Sequence, residues 1–318
     1  MNPVRRAVID VGTNSIKLLV ADVAGHEVQP VWEESKQTRL GRGFYETRRL
    51  QPDAIEASAK AVAQFEGTAR KYEASSIRVI ATSAARDAVN SGDLTAAIET
   101  ASGLKMEIIS GEQEADWVFQ GVTSDPALAN EPLLLLDVGG GSAEFIVGQG
   151  THTQFRQSFP LGTVRLFEKN PPSDPPKKEE LASCRNWVRE FLQRVVVPAL
   201  DLKVLDGTGL HEFDAGSRLR LVGTGGTTSI LGRMEAKLES YDRAKIEATR
   251  LSFERVRWHV EHLWSLPLEE RKRVVGLPPN RADVILMGVA IYEAIMEKFG
   301  FSELRISTRG LRFAAVMI

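Results

Sequence analysis

Residues 7–15 read AVIDVGTNS, and residues 134–142 read LLLDVGGGS. Each stretch joins an apolar run to the pattern Asp-Val-Gly-x-x-Ser, and a second β-rich run follows as IKLLVAD at 16–22 and AEFIV at 143–147. Apolar runs on both sides of a glycine-containing turn predict a strand, a tight turn and an antiparallel partner strand. One such motif is weak evidence, but two copies separated by the length of a small domain predict two related halves.

The repeated turns have the composition of an anion-binding loop. Glycine lets the backbone approach a ligand closely and turn its N–H groups inward. Asn14, Ser15 and Ser142 add neutral donors. Asp10 and Asp137 have the same sign of charge as a phosphate, so we expect each to hold a divalent cation or a water beside it. Two such turns facing each other would bind a phosphate chain from both sides.

Around the repeat, strands alternate with helices, which predicts layered α/β domains. In the first half, hydrophobic periodicity predicts strands at 27–40, 76–82 and 106–109 and helices at 52–74, 94–100 and 112–122. In the second half it predicts helices at 178–197, 252–266 and 282–299 and a third glycine-rich turn, after a strand, at 221–228. The polar stretch 123–132, which contains two prolines, is the predicted boundary between the halves.

The bulk composition limits the classes of partner. The 318 residues carry a formal net charge of −2, so a nucleic acid polymer is not favoured and any anion site must be local. The N-terminal residues lack a signal-peptide core, and no stretch reaches the length of about 20 apolar residues that spans a membrane. The single cysteine, Cys184, lies on an apolar helical stripe and is expected to be packed; this cysteine usage favours a cytoplasmic protein.

Residues 108–115 read IISGEQEA and supply a candidate for water activation. A strand passes through Ser110 and Gly111 into a helix whose first turn bears Glu112 and Glu114. Phosphoanhydride hydrolysis needs a group that orients or deprotonates water, positive charge for the phosphoryl oxygens, and usually a metal. Glutamates early in a helix also complement the helix dipole. The residues alone therefore leave both roles open.

Taken together, the motifs resemble those of the exopolyphosphatase and guanosine pentaphosphate phosphatase (Ppx/GppA) family, in its short two-domain form. The similarity runs in order through nearly the whole chain, as IDVGTNS (9–15), ATSAAR (81–86), ISGEQEA (109–115), DVGGGSAE (137–144), LGTVR (161–165), GTGG (223–226), RAD (281–283) and STRGLR (307–312). The resemblance implies the actin, sugar-kinase and Hsp70 superfold. That is an α/β fold of two ribonuclease-H-like actin-type domains, residues 1–127 and 128–318, with helical additions in the second and an active-site cleft between them.

The resemblance also implies roles for particular residues. Glu114 matches the glutamate that positions or deprotonates the attacking water, and Arg86 matches a phosphate-contacting arginine, whose planar fork suits phosphate. Asp137 and Glu144 match acidic residues near a magnesium ion. The phosphate-binding residues implied in the three turns are Asn14, Ser15, Gly140, Gly141, Ser142 and Gly225. The implied cofactor is Mg²⁺, and the implied assembly is a homodimer.

The predicted function is that of an exopolyphosphatase, which hydrolyses the terminal phosphoanhydride bonds of inorganic polyphosphate, and of pppGpp to give ppGpp, with the help of Mg²⁺. Two positions depart from the family pattern: Thr308 stands where relatives often carry an acidic residue, and Phe313-Ala314 where they carry Glu-Gly. Two alternatives are a phosphotransferase of the same superfold and a non-catalytic sensor of alarmones or nucleotides. The intact Glu114 counts against the sensor.

Two further patterns are interpreted as structural. His259 and His262 lie about one helical turn apart, but no third ligand is near them in sequence, so a packed or solvated pair is expected. Arg305, Arg309 and Arg312 cluster near the end of the chain, and surface charge is the favoured interpretation over attraction of a polyanion.

Overall fold

Two β-sheets organise the chain, and each is built around one copy of the repeat. This computed structural model describes residues 2–204 and 219–318. The five strands of the first sheet are β1 (Val4–Val11), β2 (Ser15–Ala24), β3 (Glu27–Gln37), β4 (Ser76–Ala81) and β5 (Met106–Ile108). The six strands of the second are β6 (Leu133–Val138), β7 (Ala143–Gln149), β8 (His152–Phe159), β9 (Arg220–Thr224), β10 (Arg250–Ser252) and β11 (Glu303–Ile306).

The two sheets share a topology. The first has the strand order β3-β2-β1-β4-β5, in which β1, β2 and β3 form an antiparallel meander and β4 and β5 run parallel to β1. The second has the order β10-β11-β9-β6-β7-β8, in which β6, β7 and β8 form the same meander and β9 and β11 run parallel to β6. Strand β10 is an additional antiparallel edge strand. The predicted α/β class with two related halves is therefore confirmed.

The helices cover both faces of both sheets, because each sheet exposes an apolar face on either side that must be buried. In chain order they are α1 (Phe44–Thr47), α2 (Pro52–Lys71), α3 (Ser83–Asp87), α4 (Ser91–Ser102), α5 (Gly111–Thr123), α6 (Thr163–Lys169), α7 (Lys178–Phe191), α8 (Val197–Val204), α9 (Gly225–Glu235), α10 (Arg243–Ala248), α11 (Phe253–Ser265), α12 (Leu268–Arg271), α13 (Ile285–Phe299) and α14 (Leu311–Met317). Helices α2 and α4 pack on the outer face of the first sheet. Helices α7, α11 and α13 pack on the outer face of the second.

Helices α5 and α14 form the layer between the sheets. Val118 of α5 and Phe313 of α14 share one apolar cluster with residues of both sheets, such as Val8 and Leu135. The last helix of the chain thus packs on the first sheet, and the Arg6 guanidinium donates to the carbonyl oxygen of Met317 at 2.8 Å. The boundary between residues 127 and 128 stays a prediction.

Most predicted elements are confirmed, and the differences have local causes. The strand predicted at 27–40 ends at Gln37, because the N–H groups of Thr38 and Arg39 both donate to the carbonyl oxygen of Asn14 and turn the chain away from the sheet. The helix predicted at 178–197 changes to a π-helix at Leu192–Val196. Pro198 follows, and proline removes the N–H that would bond to the fourth preceding carbonyl.

The residues interpreted as structural are packed as expected. Cys184 is buried in the core of the second sheet, and burial raises the pKa of its thiol to about 12. The buried His259 contacts Glu235 at 2.8 Å, whereas His262 stacks on the exposed Trp258. Among the described residues, no helix is both long enough and apolar enough to span a membrane.

Candidate active site

The two repeated turns close in the same way at the ends of β1 and β6. The N–H of Gly12 donates to the carbonyl oxygen of Ser15 at 3.2 Å, and the N–H of Gly139 donates to that of Ser142 at 2.9 Å. Each turn therefore delivers its backbone to the carboxyl end of a central strand. In open α/β sheets, ligands bind at this edge.

The turns face each other closely. A Cβ atom on Gly140 would lie 3.0 Å from the Cβ of Thr13 and 3.4 Å from the backbone nitrogen of Asn14. On Gly141 it would lie 2.5 Å from the hydroxyl of Ser83, nearer than real side-chain contacts allow. The backbone of the second turn thus lies directly against the first turn and Ser83, and the prediction that the two turns face each other is confirmed.

The third glycine-rich turn lies against the second. Gly225 has a φ of +84°, in the left-handed region that favours glycine, and begins helix α9 directly after β9. A Cβ atom at this position would lie 2.1 Å from a carboxylate oxygen of Asp137. The turn predicted at 221–228 therefore lies against the Asp137 carboxylate, and both the φ and this close approach favour glycine at position 225.

A cavity of about 420 Å³, here called the first cavity, lies between these turns. Both halves of the chain line it. The sequence-predicted residues among its lining are Asn14, Ser15, Glu114, Asp137, Gly140, Gly141, Ser142, Glu144 and Gly225. Residues that the chain order separates by more than half its length are thus brought to one site.

Arg86 belongs to a neighbouring cavity of about 580 Å³, here called the second cavity. The two cavities share Ser83 and Ser142 in their linings. Arg86 donates from Nη1 to Glu114 Oε2 at 2.8 Å, so this ion pair connects the two spaces. The structure brings the two predicted catalytic residues, Arg86 and Glu114, into contact. Glu114 lines the first cavity with the glycine-rich turns, whereas Arg86 lines the second.

The register of the two hairpins gives them different charges. Asp10 lies opposite Lys17 on the neighbouring strand, whereas Asp137 lies opposite Glu144. Directly opposite residues on antiparallel strands project from the same face, and like charges there repel. Burial raises the pKa of Asp10 and of Asp137, and the charge of Lys17 opposes that rise for both.

Glu144 is a buried carboxyl held in one orientation. The hydroxyls of Ser142 and Ser158 both donate to its Oε1 at 2.8 Å. Burial raises its pKa well above the ordinary value, and the negative charges of Glu114 and Asp137 raise it further. The second hairpin therefore gathers acidic groups that favour either a proton or a cation.

Glu114 is buried at the start of helix α5. Burial raises its pKa to about 7, although the charge and hydrogen bond of Arg86 act in the opposite direction, and Asp137 and Asp10 add to the rise. A carboxyl with a pKa near neutrality can accept a proton at physiological pH and release it again. The geometry thus favours a role in chemistry over the alternative of a surface group that complements the helix dipole.

Four cationic residues line the first cavity, and the sequence interpretation did not assign three of them to the site: Lys17, Arg233 and Arg281. The fourth, Arg312, is mostly buried and donates to the carbonyl oxygen of Leu18 at 2.9 Å, so its interpretation as surface charge is wrong. Lys17 could have been predicted from the sequence, because pairing the residues of the first hairpin outward from its turn places Lys17 opposite Asp10. Arg281 begins the RAD motif (281–283), to which no site role was assigned, whereas Arg233 comes from a distant segment and carries no local signal.

Several buried donors in the first cavity have no hydrogen-bond partner within residues 2–204 and 219–318. These are Nδ2 of Asn14, Nε of Arg233 and Nε of Arg281. Burial lowers the pKa of Arg281 to about 10, which still leaves it charged at neutral pH. Because buried donors are nearly always hydrogen-bonded, such groups indicate a site for an anionic ligand.

The lining of the first cavity fits a divalent cation. Six acidic residues (Asp10, Glu33, Glu34, Glu114, Asp137, Glu144) exceed the four cationic ones. A phosphate entering this negative surface needs additional positive charge. No described cluster of three or more His, Cys, Asp or Glu side chains is arranged to hold a metal, so an ion would take one or two protein carboxylates and complete its shell with water and phosphate. Mg²⁺ is commonly bound in this way.

Thr308 and Phe313, which belong to the two positions that depart from the family pattern, both line the first cavity. Arg243 contacts the hydroxyl of Thr308, which donates to Glu247 at 2.5 Å. Arg243 also binds Glu33, which comes from the first half of the chain, and its guanidinium lies over the Phe313 ring. Thr308 thus takes part in a polar network that bridges the two halves.

The sheets, their connections and the cavity define a two-domain α/β protein of the actin-like class. Comparison with known proteins makes the assignment specific: residues 19–315 match the Ppx/GppA phosphatase family. The chain belongs to this family of phosphatases and is an enzyme.

Individual relatives agree over nearly the full length. The chain is 33% identical over 316 residues to exopolyphosphatase 2 of Mycobacterium tuberculosis, and the alignment covers 95% of this chain and 94% of the relative. A crystal structure of the Aquifex aeolicus member of the Ppx/GppA family is 27% identical, covers 99% of this chain and 97% of that one, and has a TM-score of 0.78. The exopolyphosphatase from Cytophaga hutchinsonii, at 23% identity and a TM-score of 0.85 over 98% of this chain and 96% of that one, has the same fold.

Proposed function

We propose that the chain is an exopolyphosphatase that releases orthophosphate from the end of inorganic polyphosphate, in the first cavity between the two halves. The observation that carries the proposal is the position of Glu114, a buried carboxyl that is paired with Arg86 and lines one cavity with three glycine-rich turns; burial raises its pKa to about 7. The name exopolyphosphatase, which the mycobacterial relative carries, supports the substrate class. Because pppGpp also ends in a phosphoanhydride, and the family name includes GppA, we infer it as a second substrate.

The turns and their side chains would bind the terminal phosphate. Backbone N–H groups at Gly140 and Gly141, with Asn14, Ser15 and Ser142, surround the space between the halves, and Gly225 completes it from the third turn. Neutral donors of this kind stabilise phosphoryl oxygens without adding a competing anion. Arg86 would hold Glu114 in position and add positive charge nearby.

Asp137 and Glu144 would hold Mg²⁺, since these two acidic residues lie opposite each other on neighbouring strands and neither has a basic residue as its strand partner. The ion would supply positive charge to the phosphoryl oxygens. Ser142 and Ser158 fix Oε1 of Glu144 and so orient its second oxygen. Glu114, as a carboxylate, would then orient the attacking water and accept its proton. A homodimer, which the family resemblance implies, and a cytoplasmic location, which the cysteine usage favours, remain part of the proposal.

The test is release of phosphate by the purified protein. Polyphosphate, pppGpp, and ATP with sugars are each incubated with and without Mg²⁺, and free orthophosphate is followed. Magnesium-dependent release from polyphosphate is expected. Transfer to a sugar instead would favour a phosphotransferase, and binding without release would favour a sensor; either outcome contradicts the hydrolase.

Replacing the base sharpens this test. Glu114→Gln should lower kcat by about 100-fold or more while leaving the dissociation constant for polyphosphate nearly unchanged, on the usual scale for losing an acid–base group. Glu107→Gln is a matched control, because Glu107 also forms an ion pair with an arginine, Arg78, at 2.8 Å but lies outside both cavities. Equal turnover in Glu114→Gln and wild type would remove Glu114 from the mechanism.

A further inference from the structure

We propose that Arg165 is a positioning residue for the second glycine-rich turn. It orients the peptide between Gly141 and Ser142 so that the N–H of Ser142 faces the terminal phosphate. Arg165 ends the LGTVR motif (161–165), to which the proposed function gives no role. The phosphate that this peptide would face is that of the proposed function, so the role of Arg165 rests on it.

Helix α6 binds the carbonyl oxygens of the second glycine-rich turn. The N–H groups of its first two residues donate to the carbonyl oxygen of Gly139 at 3.0 Å and to that of Gly140 at 2.8 Å. The next carbonyl oxygen, that of Gly141, accepts a hydrogen bond from Nε of Arg165 at 2.7 Å. Three successive carbonyl groups of the turn therefore face α6.

The N–H groups of the same three peptides point the other way. In a trans peptide the C=O and N–H bonds are antiparallel, and the peptides of this turn are trans. The N–H groups of Gly140, Gly141 and Ser142 are thus directed away from α6, and all three residues line the first cavity. In the part of the chain that the structure describes, none of these three N–H groups has an acceptor. Successive N–H groups in a turn form a concave site for an anion.

Arg165 differs from the two other donors because it acts through its side chain. The carbonyl oxygens of Gly139 and Gly140 are held by backbone groups, whereas that of Gly141 depends on one guanidinium. A substitution at position 165 can therefore release one of the three peptides and leave the other two in place.

Residues of the first half of the chain fix the guanidinium of Arg165. Its Nη2 donates to Asp87 Oδ2 at 3.2 Å, and its Cζ lies 4.2 Å from the centre of the Tyr45 ring. The planar fork holds its two acceptors, Asp87 and the Gly141 carbonyl, at a fixed separation, which the single ammonium group of a lysine cannot do. The orientation of the Gly141–Ser142 peptide therefore depends on contact between the two halves.

The experiment is NMR titration of the full-length, nitrogen-15-labelled protein with orthophosphate in the presence of Mg²⁺. In the wild type, the amide signals of Gly140, Gly141 and Ser142 should all shift. Arg165→Lys keeps the positive charge but releases the Gly141 carbonyl. The Ser142 shift should then be much smaller while the Gly140 shift is retained, whereas a merely structural role would alter both.

Turnover gives a second measurement. The kcat/KM for polyphosphate should fall about tenfold in Arg165→Lys, the scale of one hydrogen bond to a charged group. Asp87→Asn keeps Arg165 but weakens its attachment, so it should cause a smaller loss in the same direction. The matched control is Arg156→Lys, because Arg156 also lines the second cavity but pairs with Asp116, at 3.1 Å, instead of the turn. Thermal unfolding shows whether each variant is folded.

Equal Ser142 shifts in Arg165→Lys and the wild type would overturn the role of Arg165. A wild-type titration without a Ser142 shift would do the same. If Arg165→Lys does not fold, the Ser142 shift of Asp87→Asn decides in its place. If orthophosphate shifts the three amide signals but the wild type releases no phosphate from polyphosphate, the proposed function is wrong and the role of Arg165 in phosphate binding stands.

Discussion

In the first hairpin Asp10 lies across the ladder from Lys17, whereas in the second Asp137 lies across from Glu144. The strands, the turn hydrogen bond and the position of the aspartate are otherwise the same in both copies. The first hairpin contains its own counter-charge and can be buried as a compensated pair. The second contains two acids and needs positive charge from outside.

This difference in cross-strand partners suggests different roles for the two hairpins. Under the proposed function, the repeated hairpin would supply two turns that approach a phosphate from opposite sides. Lysine in place of glutamate at the same position would then decide which turn also attracts a cation. Burial lowers the pKa of Lys17, while the charge of Asp10 opposes that decrease. The first hairpin would thus have a binding role only, and the second would also hold the cation.

The largest expected effect comes from giving the second hairpin the charges of the first. Glu144→Lys should lower phosphate release by about 10³-fold or more, since the variant loses a cation ligand and introduces a competing charge. Calorimetric titration with Mg²⁺ should show that ion affinity is lost as well. Retained magnesium affinity in Glu144→Lys would mean that the second hairpin is not the cation site.

Removing the lysine of the first hairpin tests whether Lys17 compensates the buried charge of Asp10. Lys17→Met should lower the free energy of unfolding by about 2 kcal/mol, because Asp10 loses a buried counter-charge and keeps only Arg312 nearby. Urea denaturation measures this, with Lys36→Met as a solvent-exposed control on β3. The double variant Lys17→Met with Asp10→Asn should recover much of the loss; if it does not, the two residues are not coupled.

A smaller effect is expected on the titration of Glu114. Its pKa of about 7 is raised by Asp137 more than by Asp10. Removing a negative neighbour stabilises the charged carboxylate, so Asp137→Asn should lower this pKa more than Asp10→Asn does, with Arg86 present in both. Carbon-13 NMR titration of the Glu114 carboxyl in metal-free protein distinguishes the two. Phosphate release by the wild type should fall as pH decreases below 7, where Glu114 is protonated and cannot accept a proton.

The smallest expected effect concerns the turns themselves. A Cβ atom on Gly12 would lie 2.9 Å from the carbonyl oxygen of Ser15, and one on Gly139 would lie 3.3 Å from that of Ser142. Gly12→Ala should therefore destabilise by about 1–2 kcal/mol and Gly139→Ala by less than about 1 kcal/mol. Gly92→Ala has open space and is the control. Thermal unfolding measures the stability of the three variants. An equal loss of stability in Gly12→Ala and Gly139→Ala would contradict the expected difference between the two turns.

The sequence predicts the repeat, the facing turns and the α/β class well, because these depend on local patterns that recur. Nine of the site residues predicted with the help of the family resemblance also line the first cavity. It does not reveal the different partners of Asp10 and Asp137, since that requires the register of the strands. Arg233 could not be predicted, because the fold brings it to the site from a segment far away in the chain. The RAD motif marks Arg281 but does not show that this side chain lines the cavity. Arg86 shows the limit of a motif, which names a residue but not which side of Glu114 it occupies.

Helix α14 has a consequence for how the protein is made. Its residues Leu311, Phe313 and Val316 complete the inner face of the first sheet, against Val8 and Leu19. On a ribosome that adds about 5–20 residues per second, the first sheet waits on the order of 10–40 s between synthesis of β5 and arrival of α14. Throughout that interval the nascent first half exposes an apolar face, so it needs either the second half or a chaperone to cover it.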